Sequence, residues 1–428
     1  MLAGTAAPLA GPAGGVAAAG SPSVGTCALF PADNVWNTDV SSLPASASSA
    51  AWIASSGGTS QLIHPDFGPS GGSVPYGIPF QLVDASHQKV PVSFQYASES
   101  DPGPYPLGPD TPIEGGSGST GDRHALVVDT STCTLYETWD THYSASGSTA
   151  GSGAVFSLGS NALRPAGWTS ADAAGLPILP GLLRYSEVAA GAVRHAVRFT
   201  VQHTDQAYVW PARHQAGAAL DASLPPMGAR FRLKGGVDIS HFSAPAQVIL
   251  TAMKHYGLIL ADNGSNWYFQ GDTDPGWTDS LLAELKSVPA GDFEAVDESS
   301  LMVDPNSGQA RQAGAAAPTP TPIVLHPATP RPTPAPVVVA VPTPAPTPEL
   351  SPTPAVTATP EAVADATTPD ATAAATPPAS HAVAVAAREA STPVAPLGAA
   401  VGGGAALLTL GGGGALWRRR RRGRLSAG

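Results

Sequence analysis

Four stretches of this 428-residue chain gather side chains able to do chemistry. The first runs from Ile113 to His124, a glycine-rich loop that carries Glu114, Asp122 and Arg123 straight into a strand-like segment. Glycines let backbone approach a ligand closely, and polar groups at the end of a strand are well placed to form a site. No Lys-Ser/Thr pair follows the glycines, so this is not a phosphate loop. Glu114 and Asp122 are read as acid–base carboxylates and His124 as an auxiliary proton carrier. The plain alternative is a mobile loop with Arg123 paired to Asp122.

The second is Glu137, which alternation puts on one face with Leu135 and Trp139. A carboxylate beside an aromatic platform suits glycoside chemistry; the alternative is a solvated face. The third is Trp210-Pro-Ala-Arg213-His214. Trp210 would stack on a sugar ring, Arg213 would grip a carboxylate and His214 would move a proton, the set a uronate lyase needs. Its alternative is a tryptophan anchoring a loop to the core. The fourth is Asp262 to Trp267. It reads first as a hairpin turn, and second as a polar rim with Trp267 facing ligand. His64 and His195 are weaker candidates.

Several chemistries are absent from the pattern. There is no H-x-x-x-H and no C-x-x-C, and no Ser/His/Asp set stands out. No cofactor and no metal are expected, with a structural Ca²⁺ held by Asp and carbonyl oxygens left open; no EF-hand loop is present. Through Val303 the chain has 12 Lys and Arg against 26 Asp and Glu, a surface that repels nucleic acid. The only cysteines, Cys27 and Cys133, are read as one disulfide.

The elements that must position these groups are mostly strands. His124–Asp129 and Thr134–Trp139 predict a hairpin. Phe80–Val83 and Val90–Tyr96 are separated by a polar turn, as are Gly257–Ala261 and Trp267–Phe269. His195–Val201 and Ala229–Lys234 alternate cleanly. Helices are expected over Ala244–Tyr256 and Thr278–Lys286, with a weak third over Ser170–Ala174. The fold expected is mainly β, an antiparallel β-sandwich or jelly-roll-like domain with two or three short helices, followed by a disordered Pro/Thr/Ala stalk.

Composition divides the chain. Residues 1–26 are read as a signal lacking its basic start or as a disordered lead. Residues 27–303 form a single β-rich extracellular domain. Residues 304–396 are a Pro/Thr/Ala linker in which frequent proline forbids regular structure. Residues 397–417 hold no charge and read as a marginal membrane-spanning or sorting segment, and 418–428 as a basic cytoplasmic tail.

The runs NALRPAGWTSADAAGLPILPGLLRYSEVAAGAVRHAVRFT, YVWPARH, MGARFRLK and HYGLILADNGSNWYFQG resemble a family of secreted bacterial proteins. FPADNVWN and ESDPGPYP…IEGG…GDRHALVVD resemble it too, so that the likeness covers most of residues 27–297. The resemblance implies export and frequent attachment to stalks or surface modules, and carries over no catalytic residue. The C-terminal end resembles the sorting tails of bacterial surface proteins, without a Leu-Pro-x-Thr-Gly motif. The function expected is a surface-anchored polysaccharide hydrolase or lyase. Its partners would be extracellular polysaccharide or cell wall, and the membrane through the C-terminal segment. The alternative is a non-catalytic module that binds polysaccharide, cell wall or a neighbouring cell.

Overall fold

The computed structural model describes residues 21–69, 76–311 and 326–327. The body is mostly β. Ten strands build its two main sheets. They are β1 (His64–Asp66), β2 (Phe80–Val83), β3 (Ala125–Asp129), β4 (Thr134–Trp139), β5 (Ser152–Ser157), β6 (Val197–Val201), β7 (Arg230–Leu233), β8 (Leu258–Asn263), β9 (Tyr268–Gln270) and β10 (Phe293–Ala295).

The smaller sheet has the order β2-β3-β4-β5, and the expected hairpin of β3 and β4 closes at Asp129 and Thr134. The larger has the order β10-β7-β8-β6-β9-β1. The antiparallel arrangement expected from the run of short strands does not hold in full, for both sheets are mixed. β2 pairs parallel to β3, β6 to β8, and β9 to β1. Two expected hairpins are therefore not hairpins. β8 and β9 flank β6 instead of pairing, and their connection crosses the end of β6 through Gly264 N–H to Val201 O (2.9 Å) and Trp267 N–H to Thr200 O (3.0 Å). Val92–Phe94 leaves Phe80–Val83 and pairs parallel with Ser148–Ala150.

Alternation gives the larger sheet two unlike faces. Phe199, Phe231 and Phe269 point to one side. There Phe199 and Phe231 meet Trp267 at centroid distances of 5.5 and 5.3 Å, and Trp267 meets Phe293 at 5.2 Å. Helices α1 (Ser49–Ser55) and α2 (Ala244–His255) add Trp52, Ile249, Leu250 and Met253 to the same core. Each large apolar side chain so buried contributes about 1.5–3 kcal/mol. The opposite face carries Arg198, Thr200, Arg230, Arg232, Tyr268 and Gln270, and is unusual in being largely buried as well. Its charges are matched in pairs: Arg230 donates to Glu298 at 2.7 Å, and Arg232 to the cross-strand Glu294 at 2.9 Å.

Thr278 caps the helix Asp279–Leu285, accepting from Leu281 N–H at 3.3 Å. The expected helix over Ser170–Ala174 is a loop, because Ser170 Oγ takes the Asp172 N–H (2.9 Å) and offers its own hydrogen to Leu176 O (2.6 Å). Side-chain bonds of this kind compete with helix. The packed chain also runs past Val303. Val35 N–H donates to Gly308 O (2.8 Å), Ala310 N–H donates to Asp33 O (2.7 Å), and Ala310 is buried. Among the described residues no helix is long and apolar enough to cross a membrane. The segments 1–20, 312–325 and 328–428, including the anchor expected at 397–417, lie outside the described residues.

The cysteines form the expected disulfide, Cys27–Cys133, with Cα atoms 5.4 Å apart across 106 residues of sequence. It ties the start of the body to the β3–β4 turn. The chain entropy it removes from the unfolded state is worth about 3–5 kcal/mol. Replacing both cysteines by serine should lower the urea unfolding free energy by about that amount, and dithiothreitol should do the same to the native chain. Equal unfolding midpoints with and without the bond would contradict this.

Candidate functional site

On the polar face of β6, Arg198 reaches a second acidic chain segment. Its Nε and Nη2 donate to both oxygens of Asp172, at 2.9 and 2.7 Å. Both side chains are almost wholly buried. Nη2 also lies 3.8 Å from Asp262 Oδ2, at the end of β8. The β6–β8 register slips between Phe199 and Thr200, which brings Asp262 opposite Thr200. Gly181 lets the loop before Leu183 lie over Arg198, since a Cβ there would stand 3.1 Å from Arg198 Cβ and 2.5 Å from the Trp36 ring.

The smaller sheet supplies the other half. His124 immediately precedes β3, and its Nδ1 is 2.6 Å from Glu114 Oε2 while Nε2 is 3.2 Å from Ala171 O. Both ring nitrogens face acceptors, so the ring is an imidazolium. Burial alone would lower its pKa, but the Glu114 charge and hydrogen bond outweigh that and push it up to about 9. Glu114 is the reciprocal case: burial raises its pKa, and the charge and hydrogen bonds of His124 bring it below the ordinary value.

Glu137, on β4, is fully buried. It accepts from Ile178 N–H (2.8 Å) and Leu179 N–H (2.9 Å), at the start of a 3-10 turn. Burial still prevails, with help from the Asp172 charge, and pushes its carboxyl up to about 7. Asp262 moves the same way: enclosure and the Asp172 charge raise it, against the pull of Arg198 and His124.

Glu114, His124, Glu137, Asp172, Arg198 and Asp262 thus form one charged seam. Its interior members are sealed from water. Only Glu114 and Asp262 reach solvent, with 23% and 27% of their side-chain surface exposed. The pKa values of these two partly exposed carboxyls are shifted in opposite directions, Glu114 toward its ionised form and Asp262 toward its protonated form. Environments that push two carboxyls apart in this way are how acid and base roles are divided.

The expected site residues therefore separate into two groups. Glu114, His124 and Glu137 come together, although Glu137 is in the interior and not on a concave surface. Asp122 lies on the surface, 3.4 Å from Trp139 Nε1. Its neighbour Arg123 does not pair with it; it donates to Ser117 O, Ser119 O and Thr141 O and pins the glycine loop. Trp210 donates to Ser307 O (2.8 Å). Arg213 donates to Arg164 O, Pro305 O and Asn306 Oδ1, so its guanidinium clasps backbone and grips no carboxylate. His214 donates to Ala173 O (2.8 Å) and stands apart from the seam's carboxyls. Trp267 is not at a rim: it is 1% exposed and donates to Ser56 O (3.1 Å). His195 belongs to a separate buried set with Glu187 (3.0 Å) and Arg184.

Asp172 and Arg198 were not among the residues expected to act, and Asp262 was read first as a turn residue and only second as part of a polar rim. Arg198 did carry a signal, since an arginine amid the β-branched run of a central strand needs a buried counter-charge. Among the described residues no group of three or more His, Cys, Asp or Glu is arranged to hold a metal ion. Searches against protein-family models, curated proteins and solved structures find no match for this chain.

The raised Glu137 carboxyl has a consequence for stability. The native state holds a proton that the unfolded chain releases near the ordinary value of 4.5. Stability is therefore greatest below that pH and falls as pH rises to about 7. The loss attributable to this group is at most about 3 kcal/mol. Urea midpoints should drop between pH 5 and pH 7, and Glu137→Gln should flatten that slope. An unchanged slope in the variant would remove Glu137 as its source.

Proposed function

We propose that this chain is an exported, surface-displayed carbohydrate-active enzyme that hydrolyses an extracellular or cell-wall polysaccharide. The observation that carries the reading is that a buried charged seam has two partly exposed carboxyls, Glu114 and Asp262, whose neighbours shift them in opposite directions, one toward the ionised and one toward the protonated form. Asp262 is the acid. It gives its proton to the glycosidic oxygen as the bond from that oxygen to the sugar carbon breaks. The anion it leaves is met by the Arg198 guanidinium. Glu114 is the base or nucleophile, and either it or a water it deprotonates forms the new bond to the same carbon. His124 keeps Glu114 ionised and correctly turned, and Asp172 holds Arg198 in place. Water supplies hydroxide to one fragment and a proton to the other, so the acid and base are restored.

The extracellular placement is supported by the disulfide, the acidic surface and the Pro/Thr/Ala tract that would lift the body from a cell surface. We read the two sheets as the halves of a sandwich-like body with the seam between them. Membrane attachment through 397–417 belongs to the same proposal.

The test is the full chain on a polysaccharide panel, read for new reducing ends and for ultraviolet-absorbing unsaturated ends. Reducing ends without unsaturation are expected. Glu114→Gln and Asp262→Asn should each lower kcat/KM about 10²–10⁴-fold. The rate should fall on the alkaline side as Asp262 loses its proton, and Asp262→Asn should remove that limb. Unsaturated ends would replace the hydrolase by a lyase. Retention on a polymer without any product would favour the non-catalytic binding module.

A further inference from the structure

One short stretch, Ala207 to Arg213, holds the later part of the chain in two places. Trp210 and Arg213 bind residues 305–307 through their side chains. Ala207–Tyr208 pairs antiparallel with His326–Pro327, Ala207 opposite Pro327 and Tyr208 opposite His326. On the other side Tyr208 bridges Met227 in parallel, and Val209 N–H donates to Met227 O at 2.9 Å. Ala207 and Tyr208 are both buried. They are therefore flanked on both sides, and one flank comes from inside the Pro/Thr/Ala tract that composition assigns to a linker.

Backbone chemistry says which groups meet there. In an antiparallel pair, opposed residues alternate between those that exchange both backbone hydrogen bonds and those that exchange none. Pro327 has no N–H, so Ala207 and Pro327 are a pair of the second kind and Tyr208 and His326 a pair of the first. The Val209 N–H agrees: it is spent on Met227, so the Tyr208 N–H, one residue earlier, faces the other way. The tract thus sets its proline where the ladder asks for no donor, the position a strand tolerates. The three residues before His326 are Ile323, Val324 and Leu325, the first break in a proline alternation that starts at Pro318. Apolar and β-branched residues of this kind favour strand pairing, and the Pro/Thr repeat around them does not.

We infer that Ala207–Tyr208 is a strand-docking edge whose occupant is this chain's own tract at His326–Pro327, so that the folded body ends at Pro327 and the tether begins there. An open strand edge offers its N–H and C=O groups to any extended chain and invites edge-to-edge association. Filled by its own tract, this edge is closed to the tracts of neighbouring copies. The anchoring of residues 305–307 on the same stretch favours this occupant, because it presents the tract to the edge within one molecule, and an intramolecular partner prevails over a second copy at ordinary concentrations. The inference goes beyond the catalytic reading and stands or falls without it.

Hydrogen exchange of the full chain, resolved at single amides, tests this. The variant is His326→Pro, which removes the N–H that the tract gives to Tyr208. The Tyr208 amide should be protected in the native chain and exchange about tenfold faster in His326→Pro, the loss of one backbone hydrogen bond's worth of protection. His326→Ala keeps the N–H and should keep the protection. Limited proteolysis of the native chain should leave a body that retains His326–Pro327. A body ending near Arg311, or a Tyr208 amide equally protected in the native and His326→Pro chains, would overturn the inference. Protection should also be independent of protein concentration. Protection that fades on dilution would give the edge to the tract of a second copy and overturn the assignment of its occupant.

Discussion

A charge taken out of water must meet an opposite charge or give itself up. That constraint organises this molecule. Arg198 lies inside the body on a central strand, and Asp172 must be delivered to it in two-pronged geometry. The loop that delivers Asp172 cannot be a helix, so Ser170 and Ser152 fasten it by side-chain bonds instead. His124 brings a second cation and Glu114 its partner. Two cations are then balanced by two carboxylates. Among the described residues Glu137 has no cation in hydrogen-bond reach and Asp262 shares Arg198 with Asp172 at the longer distance of 3.8 Å, and both shift toward keeping a proton. The raised pKa of Asp262 thus follows from burial and the balance of charge around it.

The sequence was most legible where local rules suffice. The β3–β4 hairpin, the helix behind Pro245, the Thr278 cap and the disulfide follow from alternation, capping chemistry and cysteine count. Strand partnership was less legible. Alternation shows which residues share a face but not which strand lies alongside, so β8 and β9 read as a hairpin although β6 separates them. That one insertion explains the misplacement of Trp267, whose ring turns inward because its neighbours on β6 and β7 are Phe199 and Phe231.

The site was half legible for the same reason. Glu114 and His124 are ten residues apart on one glycine-rich run, where chemistry could be suspected locally. Asp172, Arg198 and Asp262 come from three other segments and meet only when both sheets are in place. Asp262 was hidden by its setting, because Asp-Asn-Gly-Ser is also an excellent turn. Arg213 and Trp210 misled in the opposite direction. Their side chains are those of a sugar site, yet each is consumed in holding residues 305–307.

That clasp has a mechanical meaning. The continuous described chain ends at Arg311, just after a stretch held by Trp210, Arg213 and, through Gln309, Asp33, and His326–Pro327 then pairs antiparallel with Ala207–Tyr208. Further partners of the stretch before Arg311 are the segment around Val35 and the loop at Asn161–Arg164. Tension applied from the C-terminal side therefore loads the pairing of His326–Pro327 with Ala207–Tyr208 first and this row of hydrogen bonds next. They span the first and last turns of the body and share the pull, while the strands that carry Arg198 and Asp262 lie behind them. Under the proposed C-terminal tether, a pull from flow or a bound polymer would be met by these bonds before it reached Arg198 and Asp262.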